Sequence, residues 1–183
     1  MNEKHTFYQS IALLGVATGV LLMIPLIAMQ FTNEVAWTLS DFIFAGSILF
    51  GTGLIYKLVT RKSGDITYKF AIGFALLAGL SLIWTNLAVG IIGSEDNPIN
   101  LLYFGVILFG IIGALVARFG AKGMTRVMFA MAIAQALVAA IALIGGFYPN
   151  TPSAIYHIIG VNGFFIVLFV VSALLFRSAP DRD

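Results

Sequence analysis

Charged residues in this chain are gathered into a few places, and the uncharged runs between them limit what it can fold into. No Lys, Arg, Asp or Glu falls between Lys4 and Glu34, a run of 29 residues. Runs of 25, 21 and 50 residues separate Lys69 from Glu95, Asp96 from Arg118, and Arg126 from Arg177. A helix rising 1.5 Å per residue crosses the hydrocarbon of a bilayer in about 20 residues. The run of 50 is too long for one crossing and breaks at Gly145-Gly146-Phe147-Tyr148-Pro149-Asn150-Thr151-Pro152, where glycine and proline punctuate two helices. One crossing is awkward. Only 15 uncharged residues separate Asp41 from Lys57, so that helix is expected to start near Val35 and carry Asp41 inside its end. The expectation is one all-α polytopic membrane domain of six helices, at roughly 8–29, 35–59, 69–93, 98–118, 125–144 and 153–176.

Composition supports this. Only 10% of residues are charged and 60% are hydrophobic, against about a quarter charged in soluble domains. Such a surface excludes a soluble globular enzyme, a disordered chain and a nucleic-acid binder. With no cysteine, disulfides, thiolate metal sites and cysteine nucleophiles are excluded too. The first apolar run exceeds a signal-peptide core, and its exit, Ala28-Met29-Gln30-Phe31, lacks a small-x-small cleavage site. It reads as an uncleaved span.

Orientation follows from Lys and Arg in the connections. Taken in order through tail, loops and tail, the counts are 1, 0, 4, 0, 3, 0 and 2. This alternation predicts that both termini are cytoplasmic. Helix ends are marked as well. Asn97-Pro98 and Thr151-Pro152 read as N-caps followed by proline at the first helical position. Arg118-Phe119-Gly120 reads as a basic final turn closed by glycine. Trp37 and Tyr148 are expected at the outer interface, Tyr8 and Tyr68 at the inner one.

The segment Asp41–Gly51 can be laid on Asn100–Gly110, and Gly15/Gly19, Ala75/Gly79 and Ala132/Ala136/Ala140 have small-xxx-small spacing. Three tandem helical hairpins would explain both, as would the few residue types that membrane helices use. The small pairs suggest close helix packing, within the chain or in a homo-oligomer.

The chemistry-bearing residues are asymmetric. Glu34, Asp41, Glu95 and Asp96 fall on the outer side, which has no Lys or Arg, and His157 lies there too. Such a face concentrates cations. Asp41, read as an ionisable group inside a span, becomes a functional candidate. The candidate ion site is Asp41, Glu95, Asp96, Glu34, His157 and Asn100, suited to calcium or magnesium, or to zinc if His157 takes part. Against it, short outer loops need polar residues and orientation leaves acids available. Gln135, Asn162 and Asn86 lie deeper, either lining a polar pathway or hydrogen-bonding between helices. No H-E-x-x-H, G-x-S-x-G, P-loop or dinucleotide fingerprint is present, so neither an enzyme nor a cofactor is expected.

The stretch Ala88-Val89-Gly90-Ile91-Ile92-Gly93-Ser94-Glu95-Asp96-Asn97-Pro98-Ile99-Asn100-Leu101, followed by the basic Ala117-Arg118-Phe119, resembles small bacterial integral membrane proteins that share an A-V-G-I-I-G-x-E-D-N-P-x-N-L segment. The resemblance covers spans 3 to 5 and implies a bacterial inner membrane, with no activity attached. The expected function is binding or translocation of a cation or small cationic solute at an acidic outward mouth. The alternative is a non-transporting scaffold or packing subunit of a homo- or hetero-oligomer.

Overall fold

The computed structural model describes residues 2–32, 34–61, 63–151 and 153–180. It has six α-helices: α1 (Asn2–Phe31), α2 (Leu39–Thr60), α3 (Ile66–Ala88), α4 (Leu101–Val116), α5 (Ala121–Gly145) and α6 (Ala154–Ser178). A single 3₁₀ turn, Pro98–Asn100, leads into α4. All six helices, with that turn counted into α4, are long and apolar enough to cross a membrane. No strand occurs among the described residues.

Local chemistry sets the helix boundaries. Asp65 caps α3 by accepting from the Tyr68 backbone N–H at 2.6 Å. Asn97 caps the 3₁₀ turn by accepting from Ile99 N–H at 3.2 Å, with Pro98 following it as anticipated. Pro152, the partner of Thr151 in the second such pair, lies outside the described residues. Helix α2 begins at Leu39, four residues later than the charge count suggests. The segment before it, Val35–Thr38, is not helical. Glu34 and Asp41 therefore do not share a helix face.

The turn after α4 also differs from expectation. Gly120 has an ordinary extended backbone and serves as the N-cap of α5. The left-handed conformation falls instead on Arg118 (φ 49°) and Phe119 (φ 57°). Their amides close the end of α4, Phe119 N–H donating to Ala114 O at 3.1 Å and Arg118 N–H to Leu115 O at 3.0 Å. A hydroxyl from another helix holds this turn: Tyr68 donates to the Phe119 carbonyl at 2.6 Å. Tyr68 is thus a fully buried core residue, and its ring meets Phe176 edge-on at 5.6 Å.

The chain groups into two compact units, residues 1–58 and 59–183. In the first, Leu22 lies against Gly46 and Leu14 against Gly53, so α1 and α2 run antiparallel. In the second, α5 packs most extensively on α6, α3 on α6, and α4 on α5, whereas α3 touches α4 only sparingly. The hairpin expectation thus holds for α5–α6 and not for α3–α4, which a long clamped loop separates. Gly110 and Gly113 of α4 bring that helix onto Met131 and Val127 of α5. Of the small residues singled out, Ala132 is buried in the core and Ala75 packs against it, whereas a Cβ at Gly15, Gly19 or Gly79 would meet nothing within 4 Å.

The core of the second unit holds Phe165, Phe169 and Phe176 of α6, Met124, Met128 and Met131 of α5, and Leu82 of α3. Its outward faces are equally apolar, with Leu108, Ile111, Ile112 and Leu115 exposed on α4 and Ile133, Leu137 and Ile141 on α5. Water would not tolerate so continuous a greasy surface; lipid does.

Candidate functional site

In the first unit the Asp41 carboxylate is spent on local structure. The Asp41 carboxylate accepts from the Thr38 backbone N–H at 2.7 Å and from the Thr38 hydroxyl at 2.7 Å. This is a capping box: an acid at the third helical position satisfies the N–H of the capping residue. Asp41 is exposed in the first turn of α2, inside the end of that apolar helix as expected. Glu34 is exposed too, and its backbone N–H donates to the Thr32 hydroxyl at 3.1 Å.

In the second unit the loop from Val89 to Asn97 joins α3 to α4. Gly90 adopts φ 70°, and a Cβ there would collide with the backbone of Ser94 and Glu95, so only glycine fits. Ile91 and Ile92 turn fully inward. Burying them strands their peptide groups, and Asn100 supplies the partners. Its Oδ1 accepts from Ile92 N–H at 2.9 Å, while its Nδ2 donates to Ile92 O at 3.3 Å and Ser94 O at 2.7 Å. Asn86 braces the same place, donating from Nδ2 to the Asn100 carbonyl at 3.1 Å. Asn97 reaches across to the α5–α6 connection, donating to Phe147 O at 2.9 Å. Asn100 is therefore a buried loop clamp, its side-chain oxygen already accepting from an amide N–H. Glu95 and Asp96 sit exposed at the crest of this loop, and His157 is exposed in the first turn of α6. Among the described residues, no three His, Asp or Glu side chains are grouped to hold a metal ion.

Deeper in the unit, three helices meet at one amide. Tyr103 of α4 and Gln135 of α5 both donate to Asn162 Oδ1 on α6, each at 3.0 Å. The Asn162 Nδ2 donates to the carbonyl of Ile158 at 2.8 Å. All three side chains are fully buried. Two acceptor oxygens remain without a donor, Gln135 Oε1 and Asn86 Oδ1. A fourth contact ties the far end of the unit, where Ser172 donates to Ala71 O at 3.0 Å.

Of the polar residues singled out from the sequence, the fold brings Gln135 and Asn162 into direct contact and sets Asn86 on Asn100. It adds Tyr103, which the sequence reading used only in the repeat. One signal was available: Asn100, Tyr103, Val106 and Gly110 recur at helical spacing, and all four are buried.

Comparison with known proteins adds nothing to this description. No protein family, curated protein or solved structure matches the chain.

Proposed function

We propose that this chain is a multi-pass protein of a bacterial cytoplasmic membrane, with both termini in the cytoplasm, that binds or translocates a cation or small cationic solute through its acidic end. One observation carries the reading. Glu95 and Asp96 crown the same end of the second unit in which Tyr103, Asn162 and the donor-less Gln135 Oε1 are buried. Neither loop at that end contains Lys or Arg: none occurs from 70 to 117 or from 127 to 176. The uncompensated carboxylates raise the local concentration of cations, and an interior acceptor gives them somewhere to go.

The structure-derived geometry narrows the chemistry. Among the described residues no carboxylate or histidine set is grouped, whereas a tightly held calcium, magnesium or zinc ion needs several charged or imidazole ligands together. A monovalent, weakly held cation suits the arrangement better. The test is cation uptake by proteoliposomes containing the full chain. Replacing both acids (Glu95→Gln with Asp96→Asn) is expected to slow uptake at low ionic strength and to matter little at high salt. Equal rates for both proteins at low salt would overturn this role for the acids.

A second reading has its own observation. Gly79, Gly105 and Gly160 leave open space beside their backbones, on α3, α4 and α6, where another helix can approach closely. It supports a packing subunit of a homo- or hetero-oligomer. Native mass spectrometry of Gly105→Leu and Gly160→Leu tests it; unchanged assembly removes it.

A further inference from the structure

The outward face of α5 is charged at one end and apolar along the rest. Lys122, Arg126, Ile133, Leu137 and Ile144 follow one another at steps of four and seven residues, which puts them on one side of the helix, and all five are exposed. Met124, Met128, Met131, Gln135 and Val138 take the opposite, buried side. Arg118, exposed as well, stands beside the basic end. There the start of α5 abuts the end of α4, and a Cβ at Gly123 would lie 2.7 Å from that of Ala117. No Asp or Glu occurs from 97 to 180, so α4, α5 and α6 bring no carboxylate to this end. Asp65, at the start of α3, caps its own helix. Helix stability does not account for the arrangement, since Lys122 in the first turn opposes the α5 dipole. Orientation does not either: it asks for basic residues near the connection and sets no face for them.

From this face we infer that α5 and the α4–α5 turn bind an anionic membrane phospholipid, its phosphate held by Arg126, Lys122 and Arg118 and an acyl chain lying along Ile133 and Leu137. The inference is independent of the cation reading above, which concerns the opposite end of α4 and α5. Depth fits. Beyond Arg126 the uncharged part of α5, residues 127–145, is 19 residues long, or about 28 Å, close to the roughly 30 Å of bilayer hydrocarbon. Arg126 therefore comes level with the lipid phosphates, and its long side chain reaches toward them. From Arg126 to Leu137 the helix rises about 16 Å, the depth of one leaflet. Charge fits too. Cationic side chains gathered at one end call for an anion, and a guanidinium meets phosphate oxygens two at a time. A free phosphate would answer the charges alone, whereas a lipid answers the charges and the apolar stripe on the same helix face.

The experiment uses the purified full-length protein in a neutral detergent and follows its melting as lipid is added. Dioleoylphosphatidylglycerol is expected to raise the melting temperature by roughly 5–10 °C at about a hundredfold excess over its half-saturating concentration. Dioleoylphosphatidylcholine, with the same chains and no net charge, is expected to leave it unmoved. Glycerophosphoglycerol, the same headgroup without chains, is expected to do the same. Arg126→Gln is expected to raise the half-saturating concentration about fivefold, the usual loss for one basic residue at a membrane surface. Should that variant not fold, Lys122→Gln carries the same test. Lys69→Gln removes a charge from α3, outside this face. It is expected to change the half-saturating concentration by less than about twofold in about 0.15 M salt, which screens charges that do not touch the lipid. An equal shift with phosphatidylcholine would overturn the charge selection, and an equal shift with glycerophosphoglycerol would overturn the lipid as occupant. No shift with phosphatidylglycerol, or equal losses in Arg126→Gln and Lys69→Gln, would overturn the site, and cation uptake is untouched by any of these results.

Discussion

Asn100 gives the sharpest test of how this molecule is built, because one buried side chain clamps a whole loop. Asn100→Ala deletes three hydrogen bonds, of 2.9, 3.3 and 2.7 Å, to Ile92 and Ser94. At about 1 kcal/mol net for each, the loss is about 3 kcal/mol. Ile92 is wholly buried, so its stranded N–H and C=O cannot turn to water, and the total is expected at about 3–5 kcal/mol. For a chain of 183 residues, that lowers the melting temperature by roughly 6–20 °C. Asn86→Leu is the control. It removes one bond of 3.1 Å together with an oxygen that has no donor, and its effect is expected within about 1 kcal/mol of zero. Trp84, on α3 beside this loop, reports unfolding in a Trp37→Phe background. Hydrogen exchange at the Ile92 amide supplies a local readout, expected to accelerate in Asn100→Ala and to stay protected in Asn86→Leu. If Asn100→Ala melts within 2 °C of the control, the clamp reasoning is refuted.

Three other outcomes follow from named contacts. Gly113→Ala is expected to cost about 1–3 kcal/mol, since its Cβ would lie 2.9 Å from both methyls of the stiff Val127. Gly110→Ala, whose Cβ faces the flexible end of Met131, should cost less, and equal melting of the two variants would contradict the packing. Arg118→Gly is expected to stabilise by about 1 kcal/mol, because a non-glycine residue at φ 49° carries left-handed strain; chemical unfolding in mixed micelles checks the sign. Tyr68→Phe removes the 2.6 Å bond to Phe119 O and is expected to cost about 1 kcal/mol. Faster exchange at the Arg118 and Phe119 amides, with the rest of α4 unchanged, would mark that turn as the place affected.

The sequence alone was enough for six apolar helices, since a span is a one-dimensional property: charge cannot sit in hydrocarbon, so the gaps between charges count the crossings. It was also enough for the Asn97-Pro98 start, because that cap joins neighbours two residues apart. What it left out was equally physical. Spacing put Asp41 inside one end of its span but could not show that the helix starts at Leu39 and uses that carboxylate as its own cap. Nor could it show that the Tyr68 hydroxyl is claimed by a carbonyl 51 residues away.

Tertiary structure decided the rest, above all which polar side chains face one another. Helices apolar on every side carry no stripe to reveal their inward face, so Tyr103, Gln135 and Asn162 could be placed on one another only once α4, α5 and α6 had packed. The same packing fixed which amide hydrogen each oxygen received, and left Gln135 Oε1 with none.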